Sequence, residues 1–242
     1  MTAGLSIDPH DAESEFNGSG RHIIAAVIAA DTPLGPDLIA SVAAVAQRAE
    51  DAPADPPHCV VLYIAGAHQH FRWPGDVAVG DVGKWENSLR RLEQAPVPII
   101  AVVQGDAYGP AAELLLVADY RVLRADSTFG FAATEQGVWP AMGLHRLAGQ
   151  IGVAKARDLV MHGRAISAAA ARERGLVDAV IADGAEAAAI EEGIAVFGSA
   201  VGSELAIRRR LLLDAVTTRF EDALGAHLAA SDRALRRERT AS

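Results

Sequence analysis

The chain alternates between short apolar runs and longer stretches with helical spacing. Runs typical of buried strands are HIIAAVIAA (22–30), HCVVLYIAG (58–66) and IIAVVQG (99–105), followed by the shorter YRVLRAD (120–126) and STFGF (127–131). Helical spacing occurs in LIASVAAVAQRAE (38–50), VGKWENSLRRLEQ (82–94) and AAELLLVAD (111–119), and the chain is mostly helical from residue 143. Apolar strands that alternate with helices predict an α/β fold with a parallel sheet buried on both faces.

The final stretch, residues 203–237, repeats apolar residues at spacings of three, four and seven. The stripe consists of Leu205, Leu212, Val216, Phe220, Leu224, Leu228 and Leu235. The stripe packs either against the chain's own domain or against another subunit, and the pattern does not distinguish these alternatives. We expect a mobile, polar lead over residues 1–20, a core over 21–190 and a helical region over 191–242.

Composition narrows the class of protein. Half of the 242 residues are hydrophobic, and the net charge of −9 disfavours a sequence-independent nucleic-acid binder. Because neither a signal segment nor a run of 18 apolar residues is apparent, we expect a cytoplasmic protein without a membrane span. The single cysteine, Cys59, lies within an apolar run, which favours a core position over a nucleophile.

Few polar side chains are candidates for catalysis or for metal binding. His68 and His70 form an HxH pair, but no third ligand is near in the sequence, so we expect no metal site. Ser167 precedes a helix without a nucleophile-elbow motif, which predicts an N-cap. Two carboxylates remain, Glu113 and Glu135, each in apolar or glycine-rich surroundings. Burial would suit either for proton transfer, but from the residues alone Glu113 lies either in solvent or in a pocket.

Three ordered blocks between Cys59 and Ile181 resemble the crotonase (enoyl-CoA hydratase/isomerase) superfamily. They are VVLYIAGAHQHFRWPGDV, VPIIAVVQGDAYGPAAELLLVADYRVLRADSTFGF and GVWPAMGLHRLAGQIGVAKARDLVMHGRAISAAAARERGLVDAVI. The resemblance implies a β-β-α spiral core with a C-terminal helical oligomerisation region, in a trimer or hexamer. It also implies an acyl-CoA thioester as substrate, no further cofactor, and two peptide N–H groups that bind the thioester oxygen.

Some functional residues of the family motifs are present in this chain, and others are replaced. The first oxyanion donor corresponds to Gly75, and the second corresponds to Pro110, which has no N–H. Gly109 or Ala111 would have to donate instead. Glu113 matches the first catalytic glutamate, whereas the second corresponds to Ala133, so Glu135 would have to move into that role.

A narrower resemblance covers GKWENSLRRLEQ, ADYRV and the C-terminal stripe. These segments look like hydratase-like auxiliary proteins of dihydroxyphenylglycine biosynthesis, which accompany a type III polyketide synthase in antibiotic pathways. This resemblance implies a step in dehydration and aromatisation of a polyketide-CoA to dihydroxyphenylacetyl-CoA. The alternative is a non-catalytic accessory of the crotonase fold that enhances a partner synthase.

Overall fold

Five parallel strands form the central sheet of the computed structural model, which describes residues 20–68, 71–135, 137–198 and 203–241. The strands are β1 (His22–Ile28), β2 (His58–Ala65), β3 (Ile99–Gln104), β4 (Tyr120–Arg124) and β9 (Ala179–Ile181), and they lie side by side in this order. Every neighbouring pair is parallel. The predicted parallel sheet is confirmed, with β9 as an extra strand in a region expected to be mostly helical.

The described residues contain eight helices, of which the first six accompany the sheet and its core. They are α1 (Pro36–Asp51), α2 (Val79–Glu93), α3 (Pro110–Val117), α4 (Met142–Val160), α5 (Ala168–Glu173), α6 (Glu186–Phe197), α7 (Ser203–Asp214) and α8 (Phe220–Ala241). None of these helices is both long and apolar enough to cross a bilayer.

The short strands lie outside the central sheet. Strand β5 (Thr128–Phe129) pairs antiparallel with β8 (Ile166–Ser167), and β6 (Ala133–Thr134) forms a hairpin with β7 (Gly137–Val138). The predicted strand at 127–131 is therefore present, but only two of its residues pair as β5.

Alternate residues of each central strand enter two different cores, because successive side chains of a strand point to opposite faces. Val60 and Leu62 of β2 join a large cluster with α1, α2 and α3, whereas Val61 and Tyr63 join a smaller cluster with α6. Burial on both faces explains why these strands read as continuous apolar runs.

A glycine contact brings two chain segments together at the carboxyl ends of β2 and β3. A Cβ atom added to Gly66 would lie 2.5 Å from the Asp106 carbonyl oxygen and 2.7 Å from the Gly105 carbonyl carbon. Only glycine allows this approach, since real side chains do not tolerate such distances. The loop after β2 therefore packs against the turn that leads from β3 into α3, which is where ligands bind in parallel α/β sheets.

Helix α6 crosses the boundary expected after residue 190. Its residues Ile190 and Ile194 are buried against the sheet, so this helix belongs to the core. The region apart from the core begins with α7, and the predicted N-terminal lead, apart from residue 20, lies outside the described residues. The C-terminal stripe is divided into α7 and α8 by a break over residues 215–219.

One arginine of the cluster 208–210 anchors α7 to the core. Arg209 is 9% exposed and forms an ion pair with Asp119, while Arg208 and Arg210 are exposed. The Arg209 guanidinium also donates to the carbonyl oxygens of Glu93, Ala95 and Val97. A single side chain thus joins α7 to the ends of α2 and α3.

Candidate active site

Glu113 is buried at the centre of the protein. It lies on α3, where every residue from Pro110 to Val117 is buried, and its own exposed fraction is 2%. Because the helix is enclosed by the rest of the protein, its one carboxylate is shielded from bulk solvent. The alternative that Glu113 lies in solvent is therefore excluded, and its placement inside the protein is confirmed.

Two indole N–H groups hold the Glu113 carboxylate. Trp73 Nε1 donates to Oε1 at 3.1 Å, and Trp85 Nε1 donates to Oε2 at 2.7 Å. The two indole rings meet edge to face with centroids 5.6 Å apart. Each carboxylate oxygen thus has a neutral donor and no direct cationic partner among the described residues.

The electrostatic surroundings favour the protonated form of Glu113. Burial raises the pKa of its carboxyl from 4.5 to about 7, while the indole donors of Trp85 and Trp73 oppose that rise. The charge of Glu86 adds to the rise, and that of Arg146 reduces it. A carboxyl that titrates near neutral pH is suited to give and to take protons.

The free energy of unfolding is expected to depend on pH through Glu113. Its folded-state pKa lies above the unfolded value, so the folded protein binds the extra proton and stability falls as pH rises from 4.5 to about 7. At about 1.4 kcal/mol per pH unit, the loss is roughly 3 kcal/mol. Urea unfolding of the wild type and Glu113→Gln across this range should show the difference between them declining with pH. A constant difference would mean that the pKa of Glu113 is the same in the folded and the unfolded protein.

A cavity adjoins the Glu113 carboxylate. Together with the solvent at its mouth it comprises roughly 280 Å³ of space, and it is lined by Leu34, Trp73, Pro74, Val82, Trp85, Glu86, Glu113, Trp139, Ala141 and Met142. All three tryptophans of the chain border it. Its walls are therefore apolar and aromatic apart from two carboxylates.

The second carboxylate of the cavity, Glu86, belongs to an ion-pair network. Arg146 Nη1 and Nη2 donate to the two Glu86 oxygens at 3.0 and 2.5 Å. Arg146 Nε donates to Glu93 at 3.0 Å, and Arg90 pairs with Glu93 at 2.7 Å. This network joins α2 to α4 beside the cavity.

The amino end of α4 reaches Glu113 through a glycine. A Cβ atom added to Gly143 would lie 3.2 Å from Glu113 Cγ and 3.2 Å from Phe131 Cε1. Since nine in ten real Cβ contacts are longer, the absence of a side chain at Gly143 lets this helix close one wall of the site.

Two glycines border the position expected for the oxyanion hole. Gly75 follows Trp73 in the loop after β2 and has a φ of +93°. Gly109 precedes α3 with a φ of +54°, and a Cβ atom there would lie 3.1 Å from Trp73 Cγ. Both residues retain a peptide N–H, and Gly109 lies beside the Trp73 indole that holds Glu113. Their role as donors stays a prediction.

Pro110 is the first residue of α3. Proline suits this helix position, because the first N–H of a helix has no partner within the helix. Of the two substitutes for its missing donor, the Ala111 N–H is occupied by the Tyr108 carbonyl oxygen at 3.1 Å. Gly109 is therefore the remaining substitute at this turn.

The structure does not bring Ala133 or Glu135 to the cavity. Ala133 lies in the β6–β7 hairpin and Glu135 at its turn, and both are exposed. The hairpin is closed by a hydrogen bond from Thr134 Oγ1 to the Gly137 carbonyl oxygen at 2.9 Å. Moving Glu135 into the role of second glutamate would require this hairpin to refold.

Four side chains of the site were not among the sequence candidates: Trp73, Trp85, Glu86 and Arg146. Trp85 and Glu86 are adjacent on α2, in a segment for which the sequence predicted only a helix. No pattern indicated that its indole N–H would meet a carboxylate from another helix. The presence of tryptophan in the loop motif FRWPGD was the one available signal.

Other sequence candidates lie outside the site. Cys59 is fully buried, which raises the pKa of its thiol to about 12, and its core position is confirmed. Ser167 Oγ accepts from the Ala170 N–H at 3.2 Å, so the predicted N-cap is confirmed. His68 is exposed, and His70 lies outside the described residues. In the described part of the chain, no three metal-binding side chains cluster.

Comparison with known proteins identifies the family of this architecture. The model of the enoyl-CoA hydratase/isomerase family matches residues 81–238. An enoyl-CoA hydratase of Amycolatopsis orientalis is 40% identical over 209 residues, which cover 86% of this chain and 94% of that protein. Enoyl-CoA hydratase domain-containing protein 2 of Mus musculus is 37% identical over 128 residues, or 52% of this chain and 43% of that protein.

Solved structures share the fold at lower sequence identity. An enoyl-CoA hydratase of Mycobacterium smegmatis superposes with a TM-score of 0.75 at 18% identity, over 88% of this chain and 87% of that one. An enoyl-CoA hydratase of Bacillus anthracis gives 0.71 at 24% identity, over 87% and 86%. The expected crotonase-like core and C-terminal helices are confirmed.

Proposed function

The chain belongs to the enoyl-CoA hydratase/isomerase family, and we propose that Glu113 is the general acid and base of its acyl-CoA chemistry. The family membership makes the chain a crotonase-fold enzyme of the hydratase/isomerase type that acts on acyl-CoA thioesters. The observation that carries the proposal is the burial of Glu113 beside the cavity, between two indole donors. With a pKa of about 7, both forms of its carboxyl are present at neutral pH.

One carboxyl suffices for a dehydration step. Ionised Glu113 takes the proton next to the thioester carbonyl, and the electron pair of that C–H bond forms the C=C bond. The C–O bond of the hydroxyl group breaks, and Glu113 returns its proton to the departing oxygen, which leaves as water. The carboxylate is restored, so no other reactant is needed.

The finer proposal is that this step aids dehydration and aromatisation of a polyketide-CoA to dihydroxyphenylacetyl-CoA. Pro110 supplies no N–H at the second oxyanion position, and loss of one such donor costs about 10²–10³ in rate. A reaction whose product gains aromatic stabilisation tolerates a weaker site, because part of that gain already lowers the barrier to water loss. The narrower sequence resemblance supports the same assignment.

A non-catalytic accessory is the second candidate, and Pro110 together with exposed Glu135 favours it. Such a protein would raise the output of a partner type III polyketide synthase without proton transfer by Glu113. Incubating the synthase with malonyl-CoA and either the wild type or Glu113→Gln tests both candidates.

We also propose that the C-terminal helices form a subunit interface, in a trimer or hexamer. Six large apolar side chains of this region are 45–76% exposed in the single chain: Leu212, Val216, Phe220, Leu224, Leu228 and Leu235. Helix α8 is held to α7 by ion pairs of Arg233 and Arg237 with Glu204, so these side chains belong to an ordered surface. Monomeric proteins rarely expose apolar patches above a few hundred Å².

The double variant Leu224→Glu/Leu228→Glu is expected to reduce the oligomer to monomers, because the interface would have to bury two charges without partners. Light scattering coupled to gel filtration measures the mass. Met161→Glu is the control, since Met161 is 76% exposed on a different part of the surface. An unchanged mass for the double variant would place the interface elsewhere.

A further inference from the structure

The cavity beside Glu113 contains a carboxylate that the proposed proton transfer does not use. Glu86 lines this cavity, and both of its oxygens are held by Arg146. The remaining lining is mainly indole rings and aliphatic groups. A charged hydrogen-bond acceptor is unusual in such surroundings, because a charge next to an apolar surface raises the free energy of the folded protein unless other groups bind it.

The ion pair with Arg146 does not account for the position of Glu86. Glu93 binds the same guanidinium, yet its side chain is only 5% exposed and it does not line the cavity. The Glu86 side chain is 25% exposed and does line it. One partner of Arg146 is therefore enclosed, whereas the other is presented to whatever occupies the cavity.

The geometry of the pair leaves Glu86 able to accept another hydrogen bond. Arg146 uses two N–H groups on the two oxygens, and each carboxylate oxygen has a further lone pair. The bidentate contact also fixes the orientation of the carboxylate. A hydroxyl group that enters the cavity would meet a preformed, charged acceptor.

We infer that Glu86 determines specificity by accepting a hydrogen bond from a hydroxyl group on the acyl part of the substrate. The preferred substrates are then hydroxylated acyl thioesters rather than unsubstituted ones of the same shape. An unsubstituted acyl group would displace water from Glu86 without donating a hydrogen bond in its place. A polar group left without a partner in this way is the usual reason why a site discriminates strongly against a ligand that lacks the hydroxyl. This inference rests on the proposed acyl-CoA site.

The test compares thioesters that differ only in a ring hydroxyl. Phenylacetyl-CoA, 3-hydroxyphenylacetyl-CoA and 4-hydroxyphenylacetyl-CoA suit the tryptophan-lined cavity and contain no aliphatic hydroxyl that can be eliminated. Titration calorimetry of the wild type should show at least one hydroxylated ligand binding about ten- to a hundredfold more tightly than phenylacetyl-CoA, as expected for a hydrogen bond to a charged group.

Glu86→Gln should reduce that ratio at least several-fold below the wild-type value, because a hydrogen bond to a neutral acceptor contributes about half as much as one to a charged group. Glu93→Gln is the matched control: it removes a carboxylate from the same guanidinium outside the cavity, and the ratio should stay at the wild-type value. A purely structural role of Glu86 would instead weaken all ligands equally and leave the ratio unchanged, which would overturn the inference.

The wild-type ratio is itself decisive, whether or not a variant folds. Equal binding of all three thioesters overturns the role of Glu86 while the acyl-CoA site stands. Failure of the wild type to bind any of them overturns the proposed acyl-CoA site and this inference with it.

Discussion

Glu113→Gln is expected to reduce the rate of dehydration by about 10²–10⁴, the usual contribution of a general acid or base. An amide neither takes a proton from carbon nor returns one to a leaving hydroxyl group. The measurement is formation of dihydroxyphenylacetyl-CoA from malonyl-CoA by a type III synthase, with each variant of this protein added. The amide has a single acceptor oxygen for the two indole N–H groups of Trp73 and Trp85, so the substitution could also affect folding. Circular dichroism therefore checks that the variant is folded.

Glu135→Gln is the matched control for this experiment. Glu135 is exposed on the β6–β7 hairpin, so its substitution should leave the rate unchanged. A full effect of the protein on the synthase with Glu113→Gln would contradict proton transfer by Glu113 and favour the non-catalytic accessory. A large loss with Glu135→Gln would show that the hairpin refolds to bring a second glutamate into the site.

Arg209→Met is expected to lower the free energy of unfolding by about 3–5 kcal/mol, as for the removal of one partner from a buried ion pair. The Arg209 side chain is 8% exposed and that of Asp119 is 14% exposed. Methionine fills much of the volume but donates no hydrogen bond, so the Asp119 charge and the carbonyl oxygens of Ala95 and Val97 lose their donors on α7. Urea unfolding at neutral pH measures the loss.

Arg210→Met tests whether position rather than charge accounts for that effect. The Arg210 side chain is 80% exposed and contacts Asp214 at 3.4 Å within the same helix. A pair of this kind is worth less than about 1 kcal/mol, so stability should hardly change. Similar losses from both substitutions would show that net charge, and not the anchor to Asp119, determines how α7 attaches.

Local pattern was sufficient for four of the five strands of the central sheet. The strands β1 to β3 were predicted from continuous apolar runs, because a strand buried on both faces has no polar alternation, and β4 was predicted as a further short strand. The burial of Glu113 was not determined by local pattern, which left its side chain in solvent or in a pocket; the structure decides it by burying every residue of α3. Strand β9 was not predicted because it has only three residues, and its place beside β4 arises from pairing distant in sequence.

The sequence by itself determined the fold class, the family and the carboxylate at the centre of the protein, because each depends on periodicity or on an ordered motif along the chain. Only the tertiary structure decided which groups surround that carboxylate. Trp73 and Trp85 meet Glu113 from 40 and 28 residues away, and Arg146 reaches Glu86 across 60. Glu135 is 22 positions from Glu113 and lies outside the cavity. Such contacts depend on how α2, α3 and α4 pack, and packing joins side chains regardless of their separation in sequence.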